Sequence, residues 1–154
     1  MKLKNSFYYL TVLWTTLCLI TASGCQKAPI DSHVEGFWML KSFTICESNE
    51  TVICHRLYYS IGRMVTEISE RQGTQGYDAY IGRTEYGNNG KELILRDFKV
   101  RGATTSDTGQ DAPITGLLPY GICSQKETIF QILHCNGKTM TLKSDYAQLE
   151  LEKF

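Results

Sequence analysis

From Gly36 to the C-terminus, apolar and polar residues alternate in short runs separated by turn-forming residues. No run keeps the three-to-four-residue spacing of an amphipathic helix. The first run is Gly36–Ile45 (GFWMLKSFTI), and others follow at 51–60, 63–70, 77–84, 92–100, 116–124, 128–135, 139–144 and 147–154. Gly-Asn-Asn-Gly at 87–90 and Asn136-Gly137 suit the positive φ of tight turns, and the second is the strongest hairpin signal in the chain. In the last two runs Met140, Leu142, Leu149 and Leu151 share one face, and Thr141, Lys143, Gln148, Glu150 and Glu152 share the other. Over 128–135 both faces are largely apolar, so alternation does not choose the inward one. Eight or nine short strands joined by turns predict an all-β, antiparallel domain. A barrel of about eight strands removes exposed edges and is favoured, with a two-sheet β-sandwich as the alternative. The segment 101–115 is polar, rich in small residues and long for a compact domain, which predicts a lid or binding edge.

The first 35 residues follow another pattern. Lys2 and Lys4 precede an apolar stretch at 7–20, long enough for the core of a secretory leader but shorter than the roughly 20 residues of a spanning helix. Thr21-Ala22-Ser23-Gly24-Cys25 resembles the bacterial lipobox, with Ala22 where leucine is usual. The resemblance implies that residues 1–24 are a lipoprotein signal peptide. Cys25 then becomes the N-terminus, carrying diacylglyceryl and N-acyl chains of the palmitate type. Several such chains hold a protein at a bilayer where one does not. Residues 25–35 read as the lipidated N-terminus and a tether, able to hold the domain up to roughly 33 Å from the lipid. Residues 36–154 form the domain. Gln26 stands where an aspartate would suggest retention at the inner membrane of enteric bacteria. By that analogy the chain is expected on the outer membrane, lipid-anchored and facing the periplasm.

Composition narrows the function classes. Removing residues 1–24 leaves 130 residues (154 − 24) with 14 basic and 16 acidic side chains, because Lys2 and Lys4 leave with the leader. A near-neutral domain gives no electrostatic case for nucleic acid. Four cysteines remain beyond Cys25: Cys46, Cys54, Cys123 and Cys135, which allow three pairings. An exported domain with an even number argues for disulfides. The polar turn at 47–53 favours joining Cys46 to Cys54; Cys123 and Cys135 also flank a hairpin, although a turn at Lys126-Glu127 sets Phe130 opposite Cys123.

Neither Cys54-His55 nor His134-Cys135 chelates one ion, because adjacent strand residues point to opposite faces. Asp107 and Asp111 are too few for a calcium loop. No nucleophile elbow, His-Glu-x-x-His pair or phosphate-binding glycine loop is present, so no enzyme, metal or cofactor is expected.

Gly36-Phe37-Trp38 opens the first strand just after the tether, as the G-x-W motif opens lipocalins. With YYSIGRMVTEI, the Asn136-Gly137 hairpin and the terminal AQLELEKF, the chain resembles the small lipocalin-like lipoproteins of Bacteroides-type Gram-negative bacteria. The resemblance implies a barrel with Trp38 plugging its closed end. Where that family places an arginine of the last strand against the tryptophan, this chain has Lys153. It also implies a small apolar or amphipathic ligand in the barrel, with Trp38 as floor and Tyr58, Tyr59, Met64, Tyr77 and Tyr80 as candidate mouth residues. The other reading is a filled barrel that meets a partner protein of the cell envelope.

Overall fold

The computed structural model describes residues 33–104 and 106–154. The leader expected over 1–24, Cys25 and the tether up to residue 32 lie outside the described residues. The described residues form nine strands: β1 (Gly36–Ile45), β2 (Thr51–Ile61), β3 (Val65–Glu70), β4 (Tyr80–Gly87), β5 (Glu92–Arg101), β6 (Asp107–Asp111), β7 (Glu127–Cys135), β8 (Thr139–Lys143) and β9 (Ala147–Lys153). Among the described residues one short α-helix, α1 (Ile114–Leu117), runs directly into a 3-10 turn at Leu118–Tyr120.

Eight of the strands close on themselves through antiparallel pairs in the order β1, β2, β3, β4, β5, β7, β8, β9 and back to β1. The β4–β5 and β9–β1 pairings leave no second sheet, so the sandwich is excluded. β6 stands apart from this ring. It pairs only with the last residues of β5, and all five of its residues are exposed.

Alternation decides what fills the barrel. Met140, Leu142, Leu149 and Leu151 are buried as the pattern requires. On β7 the choice left open by the sequence falls to Thr128 and Phe130, both buried. Trp38 pairs with Tyr59, Tyr59 with Ile68 and Ile68 with Tyr80, so an inward row runs across four strands. β2 carries a bulge: while β1 advances from Leu40 to Ser42, β2 moves from Leu57 to Ile53. Arg56 takes φ +59 there and drops out of the pairing with β1, while its carbonyl accepts the Arg71 N–H at 3.0 Å. The two extra residues, with a matching shift of β1 against β9 between Leu40 and Ser42, reset the alternation and let Val52 and Cys54 pack with the core alongside Leu57, Tyr59 and Ile61.

The connections define two ends. At one end lie the start of β1, the turns at 62–64, 88–91 and 136–138, and the C-terminus; this is the Trp38 end. The segments 46–50, 71–79, 102–126 and 144–146 lie at the other. Asn88, Asn89 and Gly137 adopt positive φ in turns that the sequence marked. One sequence expectation is overturned here: 116–124 is not a strand. Pro113, Gly116 and Pro119 break the ladder pattern, and the backbone coils into α1 and the following turn.

Candidate functional site

The Trp38 end is closed by local chemistry. Trp38 is fully buried, and its Nε1–H donates to the carbonyl of Val34 at 2.8 Å. Lys153 lies over the indole, with Nζ 4.4 Å from the ring centroid, and donates to the carbonyl of Glu35 at 2.8 Å. The ammonium therefore takes the place that an arginine occupies in the resemblance. Gly36 makes room for it: the residue sits at φ +138, and a Cβ there would fall 2.1 Å from Lys153 Nζ.

The opposite end is where a barrel of this kind opens, and here the chain itself fills the opening. Leu117, Tyr120 and Ile122 from the β6–β7 connection are fully buried in the core. The Tyr59 hydroxyl donates to the Tyr120 carbonyl at 2.5 Å, and the Tyr120 hydroxyl donates to the Asp78 carbonyl at 2.8 Å. The Tyr120 ring meets Tyr77 and Tyr80 edge-on at centroid distances of 6.4 and 6.3 Å. Gly116 passes against Tyr80, where a Cβ would come within 1.9 Å of the phenolic oxygen. The segment is thus a plug, bonded to β2 and to the β3–β4 connection. That connection is itself ordered by Glu70, whose carboxylate accepts the backbone N–H groups of Gln75 and Tyr77, each at 2.9 Å. Those bonds hold the Glu70 carboxyl below its ordinary pKa.

Beside the plug remains a crevice of about 190 Å³, lined by Val52, Ile53, Cys54, Leu57, Tyr77 and Pro119 among others. It lies where β2 parts from β3 above the bulge at Arg56. Ile53 and Tyr77 are exposed on its lip, so the rim presents apolar surface to solvent. A larger groove of about 520 Å³ runs along β7 and the β8–β9 turn, with Glu127, Gln131, Lys143 and Asp145 among its lining residues. Among the described residues no three His, Cys, Asp or Glu side chains converge to hold a metal ion.

The ligand candidates separate. Trp38, Tyr59 and Tyr80 face inward and are buried, and Tyr77 reaches the rim. Two assignments are corrected. Tyr58 points outward, because alternation on β2 opposes it to Tyr59; it stacks on Phe37 at 5.0 Å and meets Phe154 edge-on at 5.3 Å. Met64 sits in the β2–β3 turn at the Trp38 end, far from the mouth it was expected to line. Sequence reasoning missed Leu117, Tyr120 and Ile122 as the residues that occupy the opening. The Pro and Gly punctuation of PITGLLPYG was the available signal.

The disulfide pairings are corrected as well, since all four cysteines are free thiols. Ile53 pairs with Ser42, which sets Cys54 about five residues down the hairpin from Cys46. At about 3.3 Å per residue that exceeds the roughly 7 Å a bridge can span. Cys135 pairs with Met140 at the Trp38 end, whereas Cys123 lines the groove beside Ser144 and Tyr146 at the other.

The buried groups set a pH response. Burial pushes the Cys54 thiol from 9.0 up to about 11 and raises Tyr59 and Tyr120 well above the ordinary tyrosine value of 10.0. In the unfolded chain these groups ionise at their ordinary values, while in the barrel they stay protonated. Their contribution is complete below about pH 9 and is lost as pH rises through the folded values. The urea midpoint is expected to fall steadily from pH 9 to pH 11, and a flat profile over that range contradicts the burial of these groups.

An eight-stranded antiparallel barrel with a tryptophan floor, a basic lid on that floor and an opening at the far end defines a class of small binding barrels. The chain belongs to the lipocalin-like domain family, whose pattern matches residues 18–154. No curated protein matches it. Among solved structures, a lipocalin-like protein from Bacteroides uniformis aligns with a TM-score of 0.57 at 11% identity, covering 79% of this chain and 99% of that one. An uncharacterized protein from Bacteroides eggerthii aligns with a TM-score of 0.59, also at 11% identity, covering 78% of this chain and 98% of that one. At such identity the likeness concerns the fold, which is generally one for binding and not for catalysis.

Proposed function

We propose that this protein is a membrane-anchored binding module of the cell envelope whose recognition surface is the plugged rim, not the lumen. The observation that carries this reading is the burial of Leu117, Tyr120 and Ile122 in the opening, where a ligand would otherwise enter. Exposed Ile53 and Tyr77 around the small crevice supply the apolar contact that a partner protein needs, and aromatic and aliphatic anchors in a pocket commonly dominate such contacts. The anchor is acylated Cys25, which keeps the domain at the outer membrane, facing the periplasm.

A second reading has its own support. The inner wall carries Trp38, Tyr59 and Tyr80, and α1 has only four residues with no side-chain cap. A plug so short can swing out and admit a small apolar or amphipathic molecule. Photo-crosslinkers placed at Ile53 and Tyr77 in the intact envelope, with a third at Arg83 on the barrel wall, separate the two. Crosslinks to envelope protein from the rim positions alone support the first reading. Saturable quenching of Trp38 fluorescence by a lipophilic ligand, without rim crosslinks, overturns it in favour of the second.

A further inference from the structure

The two ends of the barrel differ in charge. The turns at the Trp38 end bring Arg63, Lys91 and Lys138 to the surface, with Lys153 beside them; Glu35, Glu92 and Glu152 are the acidic side chains of this end, and Glu152 is paired with Lys41 at 3.3 Å. Lys138 adjoins the C-terminus, because its carbonyl accepts the Lys153 N–H at 2.7 Å. Among the described residues no carboxylate takes Arg63, Lys91 or Lys138 into an ion pair. The connections at the plugged end carry Glu47, Glu50, Asp78 and Asp145 against Arg71 and Lys126, and β6 adds Asp107 and Asp111 there.

Apolar side chains are exposed at both ends, Ile53, Tyr77 and Ile114 at the plugged one and Met64, Val65 and Phe154 at the Trp38 end. Phe154 and Met64, 74% and 72% exposed, are the most exposed large apolar side chains among the described residues, and both lie at the Trp38 end. The chain also enters the barrel at this end, through Gly36.

We propose that the Trp38 end docks on the surface of an anionic bilayer, with Met64 and Phe154 in the headgroup region and Arg63, Lys91 and Lys138 against lipid phosphates. Apolar side chains ringed by basic ones match the two parts of that surface, its acyl boundary and its negative potential. The tether fits the arrangement, because residues 25–35 lead from the anchoring cysteine to this same end. Docking turns the acidic, plugged rim away from the lipid, towards a partner in the periplasm. The inference rests on the membrane location in the proposed function, and it adds an orientation and a lipid chemistry to it.

The test uses the mature protein purified from membranes, in vesicles of phosphatidylcholine with brominated acyl chains, with or without phosphatidylglycerol. Trp38 is the only tryptophan left once residues 1–24 are removed, so Met64→Trp and Ile114→Trp each add one reporter, at opposite ends. Bromine is expected to quench the Met64→Trp emission in anionic vesicles and to leave the Ile114→Trp emission unchanged. A basic side chain near an anionic surface strengthens association about fivefold, so the pair Arg63→Gln and Lys138→Gln should weaken docking about 25-fold and restore the emission. Equal quenching at both reporters, or quenching at Met64→Trp that ignores lipid charge, overturns the proposal. Intact mass reports the anchor separately: an unacylated chain with charge-dependent quenching on added vesicles overturns the anchor and keeps the docking surface. An acylated chain without such quenching does the reverse.

Discussion

Trp38→Ala is expected to lower the stability of the barrel by about 3–5 kcal/mol, the range for truncating a large buried aromatic. Three losses combine at this position. The indole is fully buried and paired across the wall with Tyr59, so a cavity opens where the closed end is now packed. The Val34 carbonyl loses its donor, which unties the segment entering β1. Lys153 loses the ring face on which its ammonium rests. The last loss is small by comparison: Lys153→Gln should cost about 0.5–1 kcal/mol, since the cation and ring meet at an exposed site. Lys153→Arg, which restores the residue of the resembling family, should be neutral or slightly stabilising. Urea unfolding of the three variants gives the ordering directly. If Trp38→Ala costs no more than Lys153→Gln, the indole is not part of the packed floor.

That floor was largely legible in the sequence, and the reason is local. G-x-W places a glycine and a tryptophan two residues apart on one strand, and a basic residue near the end of the last strand meets them once β9 pairs with β1. The strands β8 and β9 were equally readable, because Met140, Leu142, Leu149 and Leu151 alternate with charged or hydroxyl residues over a full strand length. The Asn136-Gly137 turn fixed their partner β7 in the same way. Such features depend on neighbours in the sequence or on pleat parity.

The plug was not legible, for the opposite reason. GLLPYGICS reads as an apolar run of strand length, and only its Pro and Gly argue against a ladder. Whether it pairs or folds inward depends on Tyr59 from β2 and on Phe43 and Leu149 from β1 and β9, which the sequence does not place beside it. The bulge at Arg56 was hidden likewise: it shifts the inward parity of β2 by one, and nothing in RLYYS announces it. The cysteine pairings failed for the same cause. They assumed hairpin neighbours, whereas register sets Cys54 well below Cys46 and sends Cys135 to the far end.

Tyr120→Ala is the substitution that acts most directly on what the barrel does. It removes a fully buried ring from the opening, with its edge contacts to Tyr77 and Tyr80 and its bond to the Asp78 carbonyl. The expected loss is about 3–5 kcal/mol, and the space left behind is apolar on most sides. A dry apolar cavity of this kind binds small apolar molecules, so an uncharged fluorescent probe that ignores the wild type should bind the variant. Tyr120→Phe separates packing from hydrogen bonding: it keeps the ring, loses about 1 kcal/mol and leaves the opening shut. Probe binding by the wild type with the same affinity as Tyr120→Ala would mean that the plug already yields to ligands, and the lumen would then be the working site. Binding confined to Tyr120→Ala leaves the rim as the surface that meets a partner, because the chain then spends a buried tyrosine, a leucine and an isoleucine on keeping its own interior occupied.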